Sequence, residues 1–494
     1  MKNFLILSFL VLISLFSCRR DEPIAGSGVE LQFSTDTLFL DTVFTTLGSS
    51  TYLLKVYNPA NEKVVIDDIR LGTGQASDYR LNVNGNAGKQ FSDVEILAED
   101  SIYVFVEVTR QFAGSGNYFI FEDSLMFSNK GVDQNVKLIT AVRDAHFHFP
   151  DRFISAGNTL IPYSVIDCNE TWIGDKPHVI YGYAVVDSGC VLNINTGAEV
   201  YFYSNSGLWV SNGASLRVGD DASGPGIDSV LFAGDRLEPF YEDVPGQWGG
   251  PLGGIFLQGG SVNNSIQYAT IKNATTALRL DSTPAKNLDL NYSYILNSSR
   301  TAILGGFGNM EAHSLVVANA GLHLFYAFGG DYRFRQCTFA NYWDQSTRTT
   351  AAISLSNFLD AQDASGSVVR IVRDLNQAYF GNCIITGNNQ QEFAILKDES
   401  GILNYQVENA LMKLDSDPAE RGFDISDPIL FQNILVNSDP DFRNIELNRY
   451  ALDSNSQAVN QGNFSLVFDI PLDITGKSRT INSQPDLGAF ERQF

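Results

Sequence analysis

Apolar and polar positions along this chain keep two rhythms. From Val29 to about Val142, short runs such as Tyr52-Leu53-Leu54-Lys55-Val56-Tyr57 and Ile102-Tyr103-Val104-Phe105-Val106-Glu107-Val108 alternate, with turn signals such as Asn58-Pro59-Ala60-Asn61 between them. That pattern predicts strands packed as a sandwich. From Ile266 a phrase returns instead. Ile271-Lys272-Asn273, Ile295-Leu296-Asn297, Val317-Ala318-Asn319 and Phe339-Ala340-Asn341 each place a bulky apolar residue two positions before an asparagine, at spacings of 24, 22 and 22. Ile385-Thr386-Gly387 follows 46 residues later, and Leu435-Val436-Asn437 closes the series.

A period near 22 in β-branched and aromatic runs punctuated by Asn and Gly predicts a parallel β-helix, in which no coil buries its apolar face alone and coils therefore stack. The 46-residue interval fits two coils, or one coil carrying an insertion. Asn tolerates the left-handed backbone region that a tight bend requires, so Asn273, Asn297, Asn319 and Asn341 are expected to form a ladder whose amides bond between coils. Gly387 fits the same bend, since glycine takes positive φ.

At the start, Lys2 precedes an apolar run from Phe4 to Phe16, then Ser17 and Cys18. The run is too short to span a bilayer and has the regions of a signal peptide. Leu15-Phe16-Ser17-Cys18 resembles a bacterial lipobox, which implies cleavage before Cys18, lipid on that cysteine and attachment to a membrane. Asp21-Glu22 is similar to the surface-export signal of Gram-negative lipoproteins, so an outer-membrane anchor exposed at the cell surface is expected. The layout is 1–17 signal peptide, 18–28 lipidated Cys and tether, 29–145 sandwich, 146–437 β-helix with an N-terminal cap, and 438–494 C-terminal capping module.

Cys168 and Cys190 lie 22 residues apart, one coil, and Cys337 and Cys383 occupy matched positions before Phe339 and Ile385. For the first pair a disulfide and stacked thiols both remain open; the second reads as buried thiols. His146-Phe147-His148 places two imidazoles on one side of a strand, but no third ligand follows at a suitable spacing, so a metal is not expected there.

Composition narrows the partners. The 494-residue chain is 44% hydrophobic with a formal charge of −23, and without a basic stripe it excludes nucleic acid. A polysaccharide or cell-surface glycan is the partner such a surface suits. Asp220, Asp221 and Asp228 around Gly224-Pro225-Gly226 carry charge for calcium without the ligand spacing of a tight loop, and read as a solvated turn. Calcium is the one cofactor the sequence leaves open.

Two clusters mix the residue types that stack on sugar rings and bond their hydroxyls. The loop from Asp235 to Trp248 holds Arg236, Glu238, Tyr241, Glu242, Asp243 and Trp248; the second cluster holds Arg333, Arg335, Tyr342, Trp343 and Asp344. Glycan contact is expected at Arg236, Glu238, Tyr241, Trp248, Tyr342, Trp343 and Asp344. If there is catalysis, Glu242, Asp243, Arg333 and Arg335 are its candidates, as acids, bases or proton abstractors. The bland reading of both clusters is a loop folded over the wall and arginines paired with nearby carboxylates.

Trp172, Gly197-Ala198-Glu199-Val200-Tyr201-Phe202, Gly207-Leu208-Trp209-Val210, Pro245-Gly246-Gln247-Trp248 and Cys337-Thr338-Phe339-Ala340-Asn341-Tyr342-Trp343 resemble a family of bacterial right-handed parallel β-helix lipoproteins. Lys55-Val56-Tyr57-Asn58 and Asp100-Ser101-Ile102-Tyr103-Val104-Phe105-Val106 are similar to immunoglobulin-like modules of bacterial surface proteins. Asp439-Pro440-Asp441-Phe442 and Pro485-Asp486-Leu487-Gly488-Ala489-Phe490-Glu491 resemble the module that follows many bacterial β-helices. The resemblance implies an all-β chain: a right-handed, single-stranded, pectate-lyase-like parallel β-helix preceded by an Ig-like β-sandwich. It implies no settled activity. Polygalacturonase-type motifs are missing, since no His lies between glycines and Arg370-Ile371-Val372 lacks the lysine. The chain reads as a non-enzymatic glycan-binding or structural lipoprotein; the alternative is a lyase or hydrolase of acidic polysaccharide.

Overall fold

The structure, a computed structural model, describes residues 23–110, 117–157, 159–225, 229–282, 286–362, 366–415, 419, 423–481 and 484–492. The leader, Cys18 and Asp228 lie outside them. Two compact units follow one another, one ending at Asp144 and one running Ala145–Phe494.

The first unit is a β-sandwich of two five-stranded sheets. Alternation along Tyr52–Tyr57 and Ser101–Val108 turns Leu54, Val56, Val104 and Val106 inward, where they share one core with Leu40, Ile66, Leu125 and Val136 of the other sheet. One sheet is antiparallel throughout and the other is mixed, since Thr37–Phe44 pairs in parallel with Val132–Arg143. The Asn58 turn closes on its own side chain, whose Oδ1 accepts from Ala60 N at 3.0 Å while Nδ2 donates to Leu97 O at 2.9 Å.

The second unit is a parallel β-helix. Coils up to Phe393–Leu396 have three short strands, each paired in parallel with its counterpart one coil on. Leu288–Asn291, Tyr294–Ser298 and Ile303–Gly306, for instance, lie against Asn309–His313, Val316–Ala320 and Phe325–Phe328. Three faces result, called here first, second and third in chain order within a coil. After Phe393–Leu396, Gln406–Met412 and Phe431–Val436 each run through the first two faces as one strand. Ile271, Ile295, Val317, Phe339 and Ile385 stack in register on the second face, fully buried. The 46-residue interval is one coil with an insertion, because Thr338–Asn341 pairs directly with Ile384–Gly387 and the excess forms a hairpin of Phe358–Gln362 and Val368–Val372.

The asparagine ladder is shorter than expected. Asn273, Asn297 and Asn319 take φ of +67°, +56° and +56°, and Asn319 Nδ2 donates to Asn297 Oδ1 at 3.4 Å. Asn341 and Gly387 are not left-handed. Asn341 instead accepts from Ala320 N at 2.9 Å. At Gly387 a Cβ would lie 2.3 Å from the Glu392 carboxylate and 2.5 Å from the Asn341 carbonyl, so crowding, not positive φ, demands glycine. A second left-handed bend recurs between the first and second faces, at Tyr268, Tyr292, Ser314, Gln336 and Asn382.

The first coil closes on aromatic stacking. Trp172 is 1% exposed and lies 4.2 Å from the His178 ring, and His148 Nε2 is 3.0 Å from His178 Nδ1. His178 comes from the neighbouring strand, in register with His146. Burial lowers His148 to about 4 and His178 to about 3. Cys168 and Cys190 form a disulfide here, and Cys337 and Cys383 are buried free thiols.

The C-terminal segment braces the flank of the second face. Tyr450, Ile474 and Ala489 pack on Val316, Ala318 and Ala340, and Leu452, Ala458 and Leu487 pack on Ile384 and Leu411. These strands are apolar on both sides, as strands covered on both faces must be. Inside the segment Arg479, Asp473, Asp486 and Glu491 are buried together; Arg479 donates to Ala489 O at 2.9 Å and Asp473 accepts from Glu491 N at 2.7 Å. Burial pushes Glu491 up to about 7.

Candidate functional site

The loop from Asp235 to Trp248 leaves the second face after the strand Val230–Gly234 and folds back over it. Gln247 fixes that path: its Nε2 donates to Val244 O at 2.8 Å, and its side chain fills the space a Cβ on Gly234 would need. Trp248, expected to meet a sugar, is fully buried. Its ring stacks on Phe202 at 4.1 Å, and its Nε1 donates to Lys272 O at 2.8 Å. The indole is a core anchor: it joins the β-helix core with Phe202 and Phe232, whereas Phe240 of the same loop is left 79% exposed.

What the loop shows to solvent is a clasped set. The Arg236 guanidinium lies 4.0 Å over the Tyr241 ring and pairs with Glu238 at 2.9 Å. Asn273 Nδ2 donates to Glu242 O at 2.8 Å and Asn297 Nδ2 to Asp243 Oδ1 at 3.3 Å, so the asparagine ladder also pins this loop. Arg236, Tyr241, Glu242 and Lys272 line a cavity of roughly 310 Å³. Beside it, burial pushes the Asp235 carboxyl up to about 6.

The second cluster does not assemble into one site. Trp343 is 8% exposed, with Nε1 donating to Ser346 Oγ at 2.9 Å, and Tyr342 packs edge-on against Phe442 of the C-terminal segment. Asp344 is exposed and accepts from Gln345 Nε2. Arg333 and Arg335 do share the outer side of the first face, as alternation predicts. Arg335 is engaged, however, by both oxygens of Asp469 at 2.6 and 2.8 Å, and Arg333 lies over the Tyr379 ring at 5.0 Å. Glu242 and Asp243 sit over the second face and the arginines project from the first, so the four catalytic candidates do not converge.

The calcium candidates also diverge. Asp220 accepts from Ser265 Oγ at 2.6 Å and faces Arg217 at 3.3 Å, whereas Asp221 accepts from Thr196 N at 2.9 Å. Among the described residues, no group of three or more His, Cys, Asp or Glu is arranged to hold a metal ion.

The third face carries a row that spacing did not single out. Trp209, Phe256, Arg279, Leu304 and Tyr326 occupy the outward position of five successive coils, in register. Trp209 is half-buried and donates from Nε1 to Gln258 Oε1 at 2.9 Å; Arg279 lies 4.8 Å over Phe256 and is held by Asp281 at 3.1 Å. The available signal was an aromatic at the middle of Gly207-Leu208-Trp209-Val210, between two inward residues. Residues in register on adjacent parallel strands sit about 4.8 Å apart, so Trp209, Arg279, Leu304 and Tyr326 lie part-exposed along one line, while Phe256 is buried beneath the guanidinium.

Fold and site together define a parallel β-helix protein with an N-terminal β-sandwich. No family model matches the chain, and no curated protein matches it. Among solved structures, the chain is similar to the catalytic unit of a thermostable GH87 α-1,3-glucanase from Streptomyces thermodiastaticus strain HF3-3, with 10% identity over 73% of this chain and 79% of that one and a TM-score of 0.25. The catalytic domain of a GH87 α-1,3-glucanase in complex with nigerose is 9% identical over 74% and 82%, with a TM-score of 0.18. The Salmonella enterica SafA pilin in complex with the SafB chaperone is 11% identical over 28% and 69%, with a TM-score of 0.17. Likenesses this distant carry no argument about activity or ligand; the β-helix stands on the strand pairing of the chain itself.

Proposed function

We propose that this is a lipid-anchored outer-membrane protein, exposed at the cell surface, whose β-helix binds polysaccharide without turning it over. The observation that carries the binding is the third-face row from Trp209 to Tyr326. Aromatic faces bury the C–H faces of sugar rings while Gln258, Asp281 and Arg279 meet hydroxyls. The clasped loop around Arg236, Glu238 and Tyr241 would add contacts from the neighbouring face. Export is supported by the leader ending at Cys18 and by the Cys168–Cys190 bridge, since disulfides persist in oxidising compartments. The sandwich, Ig-like in its strand phrases, would act as a spacer between lipid and β-helix.

A glycan array read for both retention and product release tests this. Retention that Trp209→Ala and Tyr326→Ala each weaken about tenfold, with no product, is the expected result. Retention indifferent to both substitutions refutes the site. A second reading, hydrolysis or elimination, is favoured by Asp235, whose carboxyl at about 6 suits a proton donor near neutral pH. Product release abolished by Asp235→Asn would establish it.

A further inference from the structure

A separate cavity of roughly 730 Å³ lies at the corner between the second and third faces in the first coils. The corner is built by repetition. Tyr181 N donates to His148 O and Tyr203 N to Ile180 O, so Phe149, Tyr181 and Tyr203 leave successive second-face strands at the same place in the coil. Their rings form a column, with Phe149 5.0 Å from Tyr181 and Tyr181 4.8 Å from Tyr203. Asp235 occupies the next rung, its N–H donating to Phe202 O.

The opposite wall comes from the antiparallel hairpin that begins the third face, through Leu160 and Pro162, and from Pro251. Two properties of this space point to an occupant. One wall is an open ring face, since Tyr203 is 49% exposed. Among the described residues, neither Lys nor Arg lines the cavity, so nothing there would neutralise an acidic ligand. The lining residues with polar side chains, Thr159, Tyr181, Tyr183, Tyr203, Ser204 and Asn205, are all uncharged.

We propose that this cavity is a binding site for a short neutral oligosaccharide, with a pyranose ring between Tyr203 and the Leu160–Pro162 wall and its hydroxyl rim toward Ser204 and Asn205. Flat apolar walls with a few neutral hydrogen-bonding groups match a ring that has C–H faces and a hydroxyl rim, and the volume falls within the usual range for ligand pockets, about 300–1,000 Å³. The site is distinct from the third-face row and does not rest on it.

The test is calorimetric titration of the full chain with neutral gluco- and manno-oligosaccharides of two and three residues. Saturable binding is expected for at least one of them. Tyr203→Ala should weaken it about tenfold; Tyr203 is 49% exposed, so the fold should survive, which far-ultraviolet circular dichroism checks. Ser204→Ala removes a lining hydroxyl and should weaken binding about threefold, whereas Phe468→Ala, 93% exposed on the C-terminal segment, should leave it unchanged. Binding lost in Trp209→Ala but kept in Tyr203→Ala and Ser204→Ala would place the sugar on the third face and overturn the proposal. Absence of saturable binding across the series would overturn it as well.

Discussion

Arg348→Ala is the sharpest test of how the β-helix fixes its decorated corner. Arg348 and Glu392 are buried, their side chains 2% and 0% exposed. The pair is bidentate, Nη1 to Oε2 at 2.8 Å and Nη2 to Oε1 at 2.6 Å, and the carboxylate also accepts from Ala352 N and Asn389 N, each at 2.8 Å. Removing the guanidinium leaves a carboxylate sealed in the wall with no countercharge, a loss of about 3–5 kcal/mol. Gly387→Ala should reach the same state by another route, since its Cβ would sit 2.3 Å from Glu392 Oε1. Replacing both partners together, as Arg348→Met with Glu392→Gln, should recover part of the loss, because the orphaned charge is gone while the amide oxygen can still accept from a backbone N–H that the carboxylate served. Chemical denaturation of the three variants measures the sum, and hydrogen exchange locates it. In a stacked array the damage should concentrate in the coil of Thr338–Asn341 and its neighbours. An Arg348→Ala loss under about 1 kcal/mol, or a double variant as damaged as the single one, would refute this account of the pair.

Trp248→Ala should lower stability by about 3–5 kcal/mol through the cavity it leaves beneath Phe202, and loosen the whole 235–248 loop; a variant of wild-type stability that only lost glycan retention would show the indole to be a contact residue after all. Below neutrality the first coils should weaken. His148 and His178 titrate near 4 and 3 when folded and near 6.5 when unfolded, so unfolding takes up protons in between, and stability is full above about 6.5 and falls as pH drops toward 4. Urea titrations of wild type and His148→Gln at several pH values should show a shallower slope in the variant; equal slopes would assign the acid sensitivity to other groups.

The sequence by itself determined the strand class and the stack. Bulky residues recurring two places before an asparagine at 22 to 24 positions could bury themselves only on one another, so the register of Ile271, Ile295, Val317 and Phe339 was legible, whereas the strand pairing decided that Ile385 follows Phe339 directly. Alternation likewise placed Arg333 and Arg335 on an outer side. Only the tertiary structure decided which residues face a ligand. Trp248 and Trp343 have the composition of a sugar platform, yet the wall had room for an indole at each place, and apolar burial outweighs exposure wherever such room exists. Arg335 was claimed by Asp469, 134 positions away, because the last segment folds back along the flank. Nor could a period reveal the bend at Tyr268, Tyr292, Ser314, Gln336 and Asn382. Its backbone conformation repeats, but neighbouring packing rather than φ selects the side chain, so no single residue type marks it.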